Sequence, residues 1–504
     1  MNTFYRPGNR NFSLILMPLM LLVLTLSSEP RIAHAEYLER LPAPVALALQ
    51  QASVPPTAAA VIVQEVTAVQ PLVSLNTSRP FNPASVMKLL TTYAALEILG
   101  PAYTWQTQAL SSARPHHGVL AADLVLKGSG DPQLTLEQFW LLLRQLRAHG
   151  VREIHGHLLL DRSLFALPEE SDTTSQAPFD DQPLRPYNVT PDALLVNFKS
   201  LRLQLMGDIA GGSLSISAEP HPAHLDIINK IRPLTTEQPC NHWKEALRAT
   251  LSTHQGRHQL TLSGDYPLAC GEKNWYLSVL THPQYVEGVF KQLWQELGGT
   301  LVDPPVTALP SLPLAPLQTL ASIQSPTLAE IIRDTNKYSN NVMARQLFLT
   351  LATQPSGSDE RTSPAPLTEL AAATRLRAWL QQKQLTFPEL ILDNGSGLSR
   401  HERISASSLA HLLSLAWKSP LMPEFVASLP LVATDGTMKK RLQQTRVAGQ
   451  AHIKTGTLEE VKTMAGYVLD HRGHWQIVVF LVNHPNAAAT QAAQDALLQW
   501  VYQH

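Results

Sequence analysis

The stretch Asn82-Pro83-Ala84-Ser85-Val86-Met87-Lys88-Leu89-Leu90 places a serine and a lysine three residues apart at the head of a helical segment. Asn82 suits an N-cap, Pro83 the first helical position and Gly100 the far end. Between them Leu90, Ala94, Leu96 and Ile98 recur at about helical spacing. Ser85 and Lys88 then project from one face, about one turn apart. A hydroxyl is a weak nucleophile until a base takes its proton, and a lysine is such a base only when burial or a second cation lowers its pKa. Ser-x-x-Lys alone arises about once by chance in a chain of this length. Two further motifs follow it: Ser339-Asn340-Asn341 and Lys454-Thr455-Gly456-Thr457. The three, in this order, are the parts of a serine acyl-transfer site that uses lysine as its base.

The third motif lies in a run, from His452 to Thr457, that reads as a strand. Two β-rich runs follow it, Thr463 to Leu469 and Trp475 to Val482, separated by the polar turn His471-Arg472-Gly473-His474. These read as consecutive antiparallel strands. On an edge strand Lys454 supplies the second cation, and Thr455 offers a hydroxyl to a substrate carboxylate. Gly456 lets the backbone approach a ligand. The backbone N–H groups of Ser85 and Thr457 are expected to form an oxyanion hole. Ser339-Asn340-Asn341 sits between a helix opened by Ser325-Pro326-Thr327 and a second apolar run from Val342 to Phe348. Polar residues at such a junction reach a cleft or merely cap helices. Tyr338-Ser339-Asn340 also fits a Tyr-x-Asn pattern, so the junction by itself leaves both pairings open.

Asn336-Lys337-Tyr338-Ser339-Asn340-Asn341 and Asp393-Asn394-Gly395-Ser396-Gly397-Leu398-Ser399-Arg400 carry a wider likeness. So do Leu429-Pro430 with Asp435-Gly436-Thr437-Met438, Gly128-Ser129-Gly130-Asp131-Pro132, and Ala465-Gly466-Tyr467. Over nearly the whole chain after its leader, these stretches resemble the D-alanyl-D-alanine carboxypeptidase/endopeptidase family of low-molecular-mass class C penicillin-binding proteins. The resemblance implies that Ser85 is acylated by a peptide ending in D-Ala-D-Ala, with Lys88 as general base. It implies that Ser339, polarised by Lys454, passes a proton to the leaving amine, and that Asn341 holds the substrate amide and Lys88. Penicillins would acylate the same serine, and D-Ala–diaminopimelate cross-links would be cut at the same site. Arg400 matches the arginine that contacts the diaminopimelate side chain; Asp181, with Asp180 beside it, matches the acid. Two residues depart from the pattern: Arg345, where an acidic residue is expected, and Glu459, where relatives often carry an uncharged side chain.

Arg6 and Arg10 precede the apolar run Leu14 to Leu26, and Ala33-His34-Ala35 offers a small-x-small cleavage site. Residues 1–35 therefore read as a secretory signal peptide, too short for a comfortable span, with an uncleaved anchor as the competing reading. The mature protein is expected in the periplasm or another extracytoplasmic space, without a transmembrane anchor. Disulfides persist there. Cys240 and Cys270 are the only cysteines, so one bond is the simple inference and two free thiols the fallback. Lys plus Arg is 39 against Asp plus Glu at 40, which gives no basis for nucleic-acid binding. His155-Gly156-His157 and His116-His117 lack the spacing of a metal site, and no cofactor or metal is expected. Oligomeric state is not legible.

Ser85 and Ser339 lie 254 positions apart (339 − 85), which leaves about 190 residues, a domain's worth, beyond a minimal acyltransferase. Short strand-like runs fill that excess, and Pro304, Pro305, Pro310, Pro313 and Pro316 punctuate its end. The expected fold is an α/β (α+β) serine transpeptidase/β-lactamase-like catalytic domain, an antiparallel sheet flanked by helices, with a large β-rich insertion. Residues 36–107 and 325–504 form the catalytic part, and 108–324 the insertion, either whole or as 108–132 plus 225–324 with 133–224 separate. A C-terminal helix from about Ala487 to Trp500 is expected beside an N-terminal strand from Ala58 to Val66. The rival readings are a dedicated β-lactamase and a non-catalytic wall-binding protein. No assignable water-activating carboxylate supports the first, and intact motifs oppose the second.

Overall fold

Strands from both ends of the chain build the sheet that carries the third motif. The computed structural model describes residues 41–166, 179–180, 182–236, 238–254, 256–302, 315–353 and 366–504. Residues 1–35, read above as a signal peptide, Asp181, the greater part of the proline-punctuated stretch and most of the Pro355–Pro366 loop lie outside these residues. Five strands pair antiparallel in the order Ala451–Leu458, Val461–Leu469, Trp475–Asn483, Ala59–Glu65, Val73–Leu75. Lys454 is therefore on an edge strand, as expected, opposite Ala465.

Successive side chains of a strand face opposite ways, and this alternation divides the core. Ala59, Val61 and Val63 face the terminal helices Ala43–Gln51 and Gln491–Gln503, with Val45, Leu49, Leu497 and Val501. Ala60 and Ile62 face the other layer, with Leu90, Leu347, Leu409 and Phe425. That layer consists of the helices Lys88–Leu99, Leu328–Lys337, Asn341–Thr350, Glu369–Gln382, Ala406–Lys418 and Met422–Ser428. Lys88–Leu99 is buried on every side from Lys88 to Leu96 rather than along one stripe, because it runs through the middle of the layer.

The strand Gln106–Ser111 pairs antiparallel with Gln318–Gln324, so the chain leaves and re-enters this body at neighbouring strands. Between them lie further small sheets, one of them ordered Ser213–Glu219, Leu201–Asp208, Glu272–Leu277. The insertion is not purely β. Two helices, Leu136–Ala148 and His282–Glu296, contribute Phe139, Leu142, Phe290 and Trp294 to its core. Cys240 and Cys270 are disulfide-bonded within it. Among the described residues, no helix is long and apolar enough to cross a membrane.

Candidate active site

Ser85 sits on a sharp turn, not inside the helix. Residues Ala84–Met87 form a 3₁₀ turn that leads into Lys88–Leu99, and Ala84 has φ 45°. Asn82 stabilises this turn by accepting the Ala84 N–H at 2.9 Å and donating to the Ser399 carbonyl at 2.8 Å. Asn82 and Asn483 also exchange two backbone–side-chain bonds, at 2.7 and 3.0 Å, which tie the turn to the end of a sheet strand. The expected N-cap thus acts on a tighter turn than the α-helix start that the sequence implied.

The Lys88 amine is fully buried. Its Nζ lies 3.0 Å from Ser85 Oγ, 2.7 Å from Asn341 Oδ1 and 2.5 Å from the Ser396 carbonyl. Burial lowers its pKa from 10.5 to about 7, and the carboxyl of Glu402 opposes that fall. A neutral amine has two N–H donors and one lone pair. The carbonyl oxygens of Asn341 and Ser396 can only accept, so both N–H groups point to them and the lone pair is left for the Ser85 hydroxyl. Asn341 is oriented in turn by donating Nδ2 to the Tyr187 carbonyl at 3.2 Å.

Ser339 occupies the junction between Leu328–Lys337 and Asn341–Thr350 with φ 57°. Asn340 caps the second helix by accepting the Met343 N–H at 3.1 Å, while Tyr338 points outward, 68 % exposed. The structure therefore brings Ser339 and Asn341, not Tyr338 and Asn340, to the lysines. The first of these helices starts at Thr327, through a capping box with Glu330, rather than at Ser325. Ser325 instead accepts the Trp105 N–H and donates to the Pro326 carbonyl.

Lys454 is also fully buried and donates to Ser339 Oγ at 2.8 Å and to the Thr455 carbonyl at 2.7 Å. Burial, with the Lys88 charge second, holds its pKa well below the ordinary value. The expectation that Lys454 lowers Lys88 is corrected: burial accounts for the fall at Lys88, because the amine sits inside the packed junction of sheet and helices, and the charge of Lys88 acts instead on Lys454. Thr455 Oγ1 meets Thr437 Oγ1 at 2.7 Å, which brings the Asp435-Gly436-Thr437 loop to the motif. A Cβ on Gly456 would stand 2.8 Å from the Pro83 carbonyl and 2.9 Å from the Ser85 nitrogen, so only glycine lets the edge strand approach the serine turn this closely.

Sequence reasoning missed the support behind Lys88. Gly395, Asn394 and Asp393 direct their N–H groups to one oxygen of Glu402, at 2.8, 3.1 and 3.3 Å, and this loop carries the Ser396 carbonyl. Glu402 is fully buried, its other oxygen has no partner, and burial raises its pKa to about 7. Gly397 has φ 80°, and a Cβ there would come within 1.8 Å of the Ala84 carbonyl, so the loop lies directly against the serine turn. The family likeness of residues 393–400 and the glycine spacing at residues 395–397 marked the stretch in the sequence without revealing this role.

Residues 41–504 match the D-Ala-D-Ala carboxypeptidase 3 (S13) family. The chain belongs to this family. It is 26 % identical over 502 residues to the D-alanyl-D-alanine carboxypeptidase of Actinomadura sp. strain R39, covering 97 % of this chain and 90 % of that one. The solved structure of penicillin binding protein 4 (DacB) from Haemophilus influenzae shares the fold, with a TM-score of 0.70 at 22 % identity over 91 % of this chain and 99 % of the other. The same Haemophilus protein in complex with a β-lactam superposes with a TM-score of 0.68, at the same identity and coverage. As an S13 carboxypeptidase, the protein is a serine peptidase and a hydrolase.

At the rim of the S13 site, Arg400 is 3.1 Å from Glu459 and lies over the Phe179 ring at 5.0 Å. Asp180 accepts from Tyr187 Oη at 2.5 Å and from Asn188 Nδ2 at 2.8 Å. Asp181 falls outside the described residues. Arg345 pairs with Glu369 at 3.2 Å and joins two helices. Among the described residues, no group of three or more His, Cys, Asp or Glu side chains is placed to hold a metal.

Proposed function

We propose that the protein is a D,D-peptidase of peptidoglycan that removes the terminal D-alanine from D-Ala-D-Ala peptides and cleaves D-Ala–diaminopimelate cross-links. The observation that carries this reading is the buried Lys88 amine 3.0 Å from Ser85 Oγ, its pKa near 7 and both its N–H groups already committed. In the first step Ser85 Oγ attacks the carbonyl carbon of the penultimate D-alanine while Lys88 takes the hydroxyl proton. The oxyanion forms beside the backbone N–H groups of Ser85 and Thr457. Breaking the C–N bond requires a proton on the leaving amine; Ser339, polarised by Lys454, gives up its hydroxyl proton and is reprotonated with the one Lys88 took from Ser85, which returns Lys88 to the neutral form. Water then attacks the ester, with Lys88 again as base, and the peptide acid leaves.

Thr455 is assigned to the substrate carboxylate, Asn341 to its amide, and Arg400 with the acid at Asp181 to the diaminopimelate side chain. A β-lactam acylates the same serine because its strained amide presents the same carbonyl. The catalytic body comprises residues 36–107 and 325–504, and residues 108–324 are the insertion. The pairing of Gln106–Ser111 with Gln318–Gln324 supports that division. Export through residues 1–35 places the enzyme outside the cytoplasm, where its substrate is.

Digestion of purified peptidoglycan, with products identified by mass spectrometry, tests the reading. Free D-alanine and monomeric muropeptides are the expected products. Intact-mass analysis after penicillin treatment should place one adduct on Ser85, and the variant Ser85→Ala should show neither product nor adduct. An adduct on another side chain refutes the proposal.

A further inference from the structure

A cleft of about 540 Å³ opens beside Ser339 and Asn341 and extends to the insertion. Its far wall is a row of cross-strand neighbours. Arg202 stands opposite Glu219 on one side and opposite Tyr276 on the other, so the three share one face of their sheet. Arg202 is ion-paired with Glu219; it is the only basic side chain lining the cleft among the described residues. With Glu137 added, the wall carries a net charge of −1, a poor match for phosphate or a polyanion.

Three tyrosines ring the opening: Tyr187, Tyr276 and Tyr338, respectively 41, 48 and 68 % exposed. The near wall is rigid. Asn197, Phe198 and Lys199 are consecutive left-handed residues, with φ 46°, 54° and 49°, a conformation that asparagine tolerates but that is strained for phenylalanine and lysine. Such strain persists only where the surroundings over-determine it. Here Phe198 is packed against Val189, Leu195 and Val342, and Asn197 donates to the Ser200 carbonyl and to Tyr285 Oη. Tyr187 links the cleft to the candidate site, since its carbonyl orients Asn341.

Exposed aromatic faces, neutral amides and a self-neutralised ion pair suit an uncharged amphipathic ligand. We propose that this cleft is a saccharide subsite, which takes an N-acetylated hexose unit of the glycan attached to the peptide processed at Ser85. The inference rests on the peptidoglycan reading above. Sugar C–H faces pack on the tyrosine rings, and the acetamido group meets the amide and hydroxyl groups of Asn197, Ser200 and Asn340.

The test compares kcat/KM for one pentapeptide with and without its N-acetylglucosaminyl-N-acetylmuramyl disaccharide. Wild type should prefer the glycan-bearing substrate by about tenfold, the size of a few aromatic contacts. Tyr276→Ala should bring that ratio to about one and leave peptide-only turnover within about twofold, while Tyr276→Phe, which keeps the ring face, should retain most of the preference. A peptide-free disaccharide should perturb tyrosine fluorescence in wild type and not in Tyr276→Ala. Equal rates on the two substrates in wild type overturn the proposal, as does a Tyr276→Ala loss that falls on both alike. Failure of the peptidase reading is distinguishable, because the free peptide would then not turn over at all.

Discussion

Replacing Glu402 by glutamine is expected to move the acid limb of Ser85 acylation to lower pH. An ordinary lysine at pKa 10.5 is neutral in about one molecule in 3,000 at pH 7, whereas Lys88 at about 7 is neutral in about half. Below that pH the neutral fraction, and with it the acylation rate, falls tenfold per unit. Burial lowers the amine and the Glu402 charge resists, so deleting the charge must lower Lys88 further. The substitution is conservative in shape. A glutamine oxygen can accept the same three N–H groups, and its amide nitrogen replaces an oxygen that has no partner. Glu402 is itself raised to about 7 and carries only part of its charge across the acid limb, so the expected displacement is about half a pH unit at most, below what a nearby full charge does to a pKa. The assay is the second-order rate constant for a labelled penicillin between pH 5 and 9, with thermal melting as a control on folding. At pH 6 the variant should retain about twofold more of its own plateau rate than wild type does. An acid limb that stays in place, or moves upward, refutes the electrostatic role; a uniform loss of rate with an unmoved limb would reduce Glu402 to loop support.

The same burial carries a stability signature. The Lys88 pKa falls on folding, so the folded chain binds fewer protons than the unfolded one between about 7 and 10.5, and stability from this group rises with pH across that window. Lys88→Met relieves a charge-burial cost of about 4 kcal/mol at pH 7, partly offset by lost hydrogen bonds. It should therefore raise Tm, flatten the pH dependence of urea unfolding above pH 7, and abolish acylation. Gly456→Ala forces its Cβ against the Pro83 carbonyl and the Ser85 nitrogen; acylation should fall by about 10² from misplacement of the serine turn, measured by penicillin labelling. Glu459→Ala frees Arg400 at the rim, and kcat/KM should rise for peptides whose side chain ends in a carboxylate relative to lysine analogues. Equal change for both classes would exclude a charge effect. Cys240→Ser closes no 30-position loop, so urea unfolding should lose about 3 kcal/mol while labelling of Ser85 at 25 °C is unaffected.

The sequence by itself determined the chemistry and the outline of the fold. Ser85, Lys88 and Lys454 were legible because acyl transfer restricts residue type and spacing, whereas Ser339 and Asn341 were singled out over Tyr338 and Asn340 only through the family resemblance. The edge strand and its neighbours were legible because β-branched residues alternate between polar turns. The helices Leu136–Ala148 and His282–Glu296 were overlooked in a segment read as β-rich, although Thr135 and the Thr281–Gln284 capping box mark their starts.

What only the tertiary structure decided is the electrical state of the site. The pKa of Lys88 depends on packing by segments more than 250 positions away, and the Asn341 and Ser396 oxygens that orient its lone pair come from two of them. Glu402 gains a role only because its loop folds behind that amine. The cleft lined by Tyr187, Tyr276 and Tyr338 likewise joins three stretches of chain. Local spacing encodes which groups react, but desolvation and the meeting of distant walls are properties of the packed whole.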